Sequence, residues 1–297
     1  MNSKIRTDLA SEAHELWARS AEKTSELPGV RAQEEDRAGF RVSTVEILDE
    51  RGERSLGKPR GRYVTVWLGA LIRREEDAFE TACGVLSDCL RELLPGGKGG
   101  VLVAGLGNRG ITPDAVGPES VRSVMVTRHL REQLPEYFGS FREVSAVCSG
   151  VLGTTGIESG DIVAAVVQKV RPAAVIAVDA LAAAEPDKLC CTVQLTDAGI
   201  VPGSGVGNAR RELSPRTLGV PVIAVGVPTV VDSAALAVYL AGKCGVELTD
   251  ARGCAGMIVT PRDIDKSVAD ISKLVGYSVN LALHEGLSLG DIDMFLS

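Results

Sequence analysis

The chain has 297 residues, 45 % of them apolar and only 4 % aromatic, and a net charge of −7. That length allows one large α/β domain or two smaller ones, and a core so poor in aromatics must be built from Val, Ala, Leu and Ile, as in a buried parallel sheet. The acidic balance argues against a nucleic-acid binder with a basic patch, and no run of about 18 apolar residues is present to predict a membrane span.

The first 38 or so residues are charged and helix-permissive. Residues 11–20 place Ala13, Leu16 and Trp17 at helical spacing. The polar start has no apolar h-region, so no secretory signal is expected. Glu34-Glu35-Asp36-Arg37 reads as a solvated loop or helix end. Residues 40–48 and 63–68 read as strands, with turns at Arg51-Gly52-Glu53 and Pro59-Arg60-Gly61. A helix over 75–94 ends at Pro95-Gly96-Gly97.

From residue 100 the pattern changes. Short apolar runs at 101–104, 175–178 and 221–225, with a weaker one at 257–259, read as buried strands. Helix-like stretches at 119–134, 156–170, 232–240 and 263–283 separate them. This alternation predicts an α/β fold: a mostly parallel sheet flanked by helices, with extra N-terminal strands.

In such sheets ligands collect at the carboxyl ends of the strands. Two acids fall there, Asp114 and Asp179. Each can be read as a helix cap. Taken together at one sheet edge, they form a carboxylate pair in which one member stays protonated. Such a pair supplies a general base and a general acid for water attack on a peptide.

Other readings compete. Gly105, Gly107 and Gly110 match a dinucleotide fingerprint after a strand. Pro113, Gly117 and Pro118 delay the helix that should follow, and no acid-tipped strand lies about 20 residues on. A tight strand exit is the plainer account. The glycine loop 203–207 fits an anion nest or a lid. Ser204 lacks the first glycine of a nucleophile elbow. Cys148 with His129 would make a possible dyad, set against the commoner buried structural thiol. The seven cysteines, Cys83, Cys89, Cys148, Cys190, Cys191, Cys244 and Cys254, form no C-x-x-C pair, which points to free thiols in a reducing, cytoplasmic compartment. The three histidines, His14, His129 and His284, lack metal-ligand spacing. No metal or other cofactor is expected.

Gly105-Leu106-Gly107-Asn108 with Thr112-Pro113-Asp114-Ala115, Val126-Thr127-Arg128-His129-Leu130, Ile176-Ala177-Val178-Asp179-Ala180-Leu181, Pro202-Gly203-Ser204-Gly205-Val206-Gly207-Asn208 and Gly226-Val227-Pro228-Thr229 together resemble the bacterial spore germination proteases. The resemblance covers nearly the whole chain. It departs at 243–256, which is short where the family often carries a longer acidic insertion.

The resemblance implies an endopeptidase of atypical aspartic type that degrades small acid-soluble spore proteins in the spore core. It also implies a homotetramer made as a self-processing zymogen, with a fold similar to hydrogenase maturation endopeptidases. Those relatives bind a metal, and their acidic ligands match Asp114 and Asp179, so a metallo-endopeptidase is the alternative. A nucleotide- or anion-binding module is a further one. Family substrates resemble an acid, a large apolar residue, a small residue and then Glu. Asp8-Leu9-Ala10-Ser11-Glu12 follows that pattern. The expectation is a propeptide over 1–8, cleavage between Asp8 and Leu9, and a peptidase domain over 9–297.

Overall fold

The computed structural model describes residues 7–20, 27–204, 210–246, 248 and 256–297. Among these residues the strands are β1 (Val30–Arg37), β2 (Phe40–Ile47), β3 (Gly61–Trp67), β4 (Val101–Leu106), β5 (Val144–Gly150), β6 (Ala174–Ala183), β7 (Thr192–Thr196), β8 (Val222–Asp232) and β9 (Ile258–Val259). They form one sheet in the order β1-β2-β3-β7-β8-β6-β4-β5, with β9 added to β8. Pairings within β5-β4-β6-β8 are parallel. Those through β1, β2, β3 and β7 to β8 are antiparallel.

The parallel half shows why its strands read as unbroken apolar runs. On one face Leu102, Ala104, Val175 and Ala177 pack with Val163 and Val167 of the helix Ser159–Val170. On the other, Val101, Val103, Ile176, Val178, Ile223 and Val225 pack with the helices Ala78–Leu93 and Ile264–Leu283. Both faces of β4, β6 and β8 are covered, so nearly every position of those strands takes an apolar side chain. The antiparallel half is different at its rim. β1 carries charge along an exposed edge, where Arg41 pairs with Glu34 and Arg31 with Glu46. Charged edges of this kind discourage pairing with another chain.

Several expectations need correction. Residues 34–37 belong to strand β1, held by β2 in full register, rather than to a loop or helix end. Arg51-Gly52-Glu53 lies in the helix Glu50–Leu56, whose cap Asp49 accepts from the amides of Arg51 and Gly52. The stretch 119–134 divides into Val116–Val121 and Arg128–Gln133. The helix expected over 156–170 begins at Ser159, after a one-turn helix closed by Gly156 at φ 72°. Residues 257–259 supply a two-residue antiparallel strand, not a parallel core strand. β7 has no counterpart among the expected elements. Of the loop 203–207, residues 205–207 lie outside the described residues, as does most of 247–255.

Candidate active site

Asp114 is positioned by a compact turn at the exit of β4. Gly107 has φ 105°, and a Cβ there would lie 2.1 Å from the Asp114 carbonyl oxygen. Glycine is therefore required for the turn to fold back. The Asn108 amide donates to Asp114 Oδ2 at 2.7 Å, and the Asp114 amide donates to the Ile111 carbonyl at 2.8 Å. The short helix Thr112–Asp114 is tied to β8 by Thr229 Oγ1, which donates to the Pro113 carbonyl at 2.6 Å. Gly105 and Gly117 let the helix Val116–Val121 approach β4 and β6 closely, since a Cβ at either would strike backbone at about 2.5 Å or less. The fingerprint glycines thus serve packing and the Asp114 turn.

Asp179 does not end its strand. β6 runs four residues further, to Ala183. Its parallel neighbour β4 stops at Leu106, and the last β4–β6 pair is Gly105 with Val178. Asp179 is consequently the first residue of β6 beyond its pairing with β4, at the level where β6 still pairs with Gly226 of β8 and Gly226 pairs with Gln194 of β7. The edge expected from sequence is real, but the break belongs to the neighbouring strand.

The Asp179 side chain is 4 % exposed. Burial pushes its carboxyl well above the usual carboxylate range, and the nearby charges of Asp114 and Asp8 push it the same way. The Ala180 amide, donating to Asp179 Oδ1 at 3.0 Å, opposes the shift weakly. Asp114 is also raised by burial, against the Asn108 hydrogen bond. Two carboxyl groups that sense each other in a buried site cannot both ionise easily. Burial favours the protonated form at Asp179 more strongly than at Asp114.

The N-terminal segment enters this site. The Asp8 amide donates to the Ala182 carbonyl at 2.9 Å. The Asp8 carboxylate accepts from the Ala182 amide at 2.9 Å and from Ser204 Oγ at 2.7 Å. These partners lie across the molecule rather than on the helix that follows Asp8. The Leu9 side chain is fully buried among Leu181, Ala183, Leu189, Val231 and Ala235. Lys58 Nζ donates to the Thr7 carbonyl at 2.8 Å. The buried Glu12 carboxylate accepts from the amides of Ala184 and Glu185 at 2.8 and 2.7 Å, and from Thr7 Oγ1. Gln194 of β7 grips the backbone on both sides of Leu9. Its Nε2 donates to the Asp8 carbonyl at 3.2 Å, and its Oε1 accepts from the Ala10 amide at 2.7 Å.

Sequence reading missed Gln194 and Lys58. Gln194 lies in the unexpected strand, where Thr-Val-Gln-Leu-Thr offers a buried polar residue among β-formers. Lys58 sits between Gly57 and Pro59, in what reads as a turn.

The competing sites fare differently. Cys148 Sγ lies 4.0 Å from the Pro118 carbonyl. Burial raises its thiol, the opposite of the depressed thiol of a nucleophile. The six described cysteines are free. His284 is buried against Phe141, and burial lowers it to about 4. Among the described residues no three His, Cys, Asp or Glu side chains gather as a metal site would require, and no helix is long and apolar enough to cross a membrane.

Comparison with known proteins gives concordant findings. The family model described as germination protease matches residues 10–252. The chain is 41 % identical to a germination protease of Caldanaerobacter subterraneus subsp. tengcongensis, with 98 % of each chain covered. It is 36 % identical to one of Clostridium acetobutylicum over the whole of both chains. It is 45 % identical to one of Priestia megaterium, covering 78 % of this chain and 65 % of that one. Among solved structures, a NiFe hydrogenase maturation protease from Thermococcus kodakarensis is similar at 14 % identity and a TM-score of 0.36, over 64 % of this chain and 98 % of that one.

Proposed function

This chain belongs to the germination protease family and is a peptidase of spore germination, and from that premise we propose a self-processing endopeptidase whose acid–base pair is Asp114 and Asp179. Asp114, ionised and held by the Asn108 amide, takes a proton from water. The water oxygen attacks the peptide carbonyl carbon. Asp179 gives its proton to the leaving nitrogen, the C–N bond breaks, and a carboxylic acid and an amine form, the acid's proton passing to the amine as the two separate. The proton gained by Asp114 then passes to Asp179, which restores the starting state. This division of labour follows from the difference in enclosure between the two acids.

The observation that carries the reading is the seating of residues 7–12 beside Asp179, with Asp8 among the charges that Asp179 feels. A chain segment that follows the family's substrate pattern and places Asp8 where Asp179 feels its charge supports a propeptide over 1–8 and a peptidase domain over 9–297. Small acid-soluble spore proteins are the outside substrates in this reading, and the enzyme works as a homotetramer in the cytoplasm of the spore core. No step passes through a metal. Exhaustive chelation is therefore expected to leave turnover unchanged, and a stoichiometric metal lost together with activity would overturn that part.

The decisive experiment is N-terminal sequencing and intact mass of the active form, made alongside Asp179→Asn. The expected result is a mature chain starting at Leu9, with the variant remaining full-length. An active enzyme that keeps residues 1–8 would end the zymogen reading.

A further inference from the structure

Water attack on a peptide places negative charge on the carbonyl oxygen, and neither Asp114 nor Asp179 can neutralise it while one is ionised and the other is committed to the leaving nitrogen. A donor aimed at that oxygen is needed. We propose that Gln194 is this residue: its side-chain N–H polarises the scissile carbonyl and then holds the oxyanion. The proposal rests on the reading that the bond between Asp8 and Leu9 is the one cut.

Three observations converge on it. Gln194 Nε2 donates to the Asp8 carbonyl oxygen, the oxygen that would take the charge. The other end of the same amide accepts from the Ala10 amide. Turning the amide over would set donor against donor and acceptor against acceptor, so the bound backbone itself fixes which end faces the carbonyl. Third, Gln194 is 5 % exposed in the middle of a strand paired on both sides, with Thr65 and with Gly226. A donor fixed in this way needs little reorganisation as the charge forms, and exclusion of water strengthens it.

The clamp touches only main-chain atoms of the segment, one residue either side of Leu9. It can therefore hold any peptide in that register. It also links the pocket to the chemistry. A residue that fills the Leu9 pocket brings its preceding carbonyl under Nε2 and its following amide onto Oε1. A residue that does not fill it leaves both loose.

The balance is simple. The π electrons of the carbonyl move to its oxygen as the water–carbon bond forms, and Nε2–H stabilises them without giving up its proton. They return as the C–N bond breaks and Asp179 protonates the nitrogen. Gln194 ends as it began.

The test uses the full chain as wild type, Gln194→Met and Gln194→Glu. Self-cleavage is followed by intact mass, and turnover by a peptide of sequence Arg-Thr-Asp-Leu-Ala-Ser-Glu-Ala. Gln194→Glu keeps an acceptor for the Ala10 amide and loses the donor. Its kcat is expected to fall about 10²–10³-fold, the usual cost of one oxyanion donor, with KM changed only a few-fold. Gln194→Met is neutral and of similar length, so it guards against misfolding from a buried charge. It is expected to lose kcat to a similar degree and to raise KM as well. A purely structural role would lower Tm and raise KM in both variants while kcat held. That result, or a Gln194→Glu kcat within about three-fold of wild type, would overturn the proposal. A wild type that leaves the bond between Asp8 and Leu9 intact removes the underlying reading first, and is told apart because no variant is then needed.

Discussion

The two halves of the sheet divide the work differently. The parallel half, β5-β4-β6-β8, supplies the carboxylates: Asp114 from the turn after β4 and Asp179 from β6 just past the end of β4. The antiparallel half adds its own polar grip on the N-terminal segment to that of Ala182, Ala184 and Glu185. Gln194 is on β7, Lys58 precedes β3, and Thr65 of β3 donates to Ser11 Oγ at 3.3 Å. The boundary falls at β8, which pairs parallel with β6 and antiparallel with β7. A parallel sheet ends all its strands on one side, which concentrates reactive groups at an edge. Antiparallel strands present side chains along their length, which suits holding an extended peptide. Apart from Gln194, to which the oxyanion proposal assigns a rate effect, substitutions of the carboxylates and of the gripping residues are expected to separate into rate effects and affinity effects.

The largest expected effect tests that separation directly. Asp114→Asn should lower kcat by about 10²–10⁴, the range for losing a general base, with KM nearly unchanged. Lys58→Met, on the other side, removes a half-buried donor to the Thr7 carbonyl. It should raise KM several-fold with a much smaller change in kcat. Steady-state kinetics on a spore-type protein decides the matter. A Lys58→Met variant losing kcat as deeply as Asp114→Asn would erase the division between halves.

The next effect concerns the pocket shared by the two extended strands. Leu9 is fully buried with Leu181, Val231 and Ala235. Leu9→Ala, made in the Asp179→Asn background so that the segment stays attached, should cost about 2–5 kcal/mol. The cost should appear as undocking of residues 7–12, measured as lost hydrogen-exchange protection there while β4 and β6 keep theirs. Unchanged protection would mean the hydrogen bonds of Gln194 and Ala182 hold the segment without the pocket.

Sequence reading succeeds and fails along the same division. The parallel strands are buried on both faces, so their apolar runs stand out, and an acid at the end of such a run is conspicuous. That is why Asp179, directly after the run 175–178, stands out in the amino-acid sequence, whereas Asp114 comes from the turn beyond β4. In the antiparallel half the signal is weaker. β1 carries Gln33-Glu34-Glu35-Asp36-Arg37, which looks like a solvated loop, yet it is a strand because β2 offers it a full ladder. β7 is five residues long between turns, too short for periodicity to declare itself. Gln194 is lost with it. The pairing of Asp8 with Ala182 is a contact between residues 174 apart in the chain, and no local pattern encodes it.

A smaller effect separates two of the three fingerprint glycines, Gly107 and Gly110, from each other. Gly107 sits at φ 105° against Asp114 backbone, whereas Gly110 has an added Cβ no closer than 3.3 Å to Asn108 Oδ1. Gly107→Ala should destabilise the chain by about 1–3 kcal/mol through strain at a left-handed position. It should also lower kcat by displacing Asp114. Gly110→Ala should stay within about 0.5 kcal/mol, the range for a surface change. Thermal unfolding and kcat measured side by side check both. Equal tolerance at the two positions would mean the turn does not fix Asp114.

The smallest effect has the opposite sign from the rest. Asp179 is enclosed, and burial raises its carboxyl above the unfolded value, with Asp114 and Asp8 adding to the rise. Between the ordinary carboxylate pKa and the raised one, the folded chain holds a proton that the unfolded chain has released. Stability therefore falls as pH climbs through that window, and the loss is complete above it. Asparagine has the same shape and no proton to lose. Asp179→Asn should thus be more stable than the parent at neutral pH, by on the order of 1–2 kcal/mol, the usual scale when an active-site group is relieved of its burden. The gain should shrink as pH is lowered towards the ordinary carboxylate range, where both states of the parent are protonated. Denaturant unfolding of the two chains at several pH values measures this. Because the proposed reading has the parent process itself, the comparison is made with Asp114→Asn as the second inactive chain. In that chain Asp179 loses one charged neighbour but stays buried, so an intermediate stability is expected. A variant Asp179→Asn no more stable than Asp114→Asn at neutral pH would show that Asp179 is solvated in the folded chain, and it would then be the wrong residue to hold the proton for the leaving nitrogen.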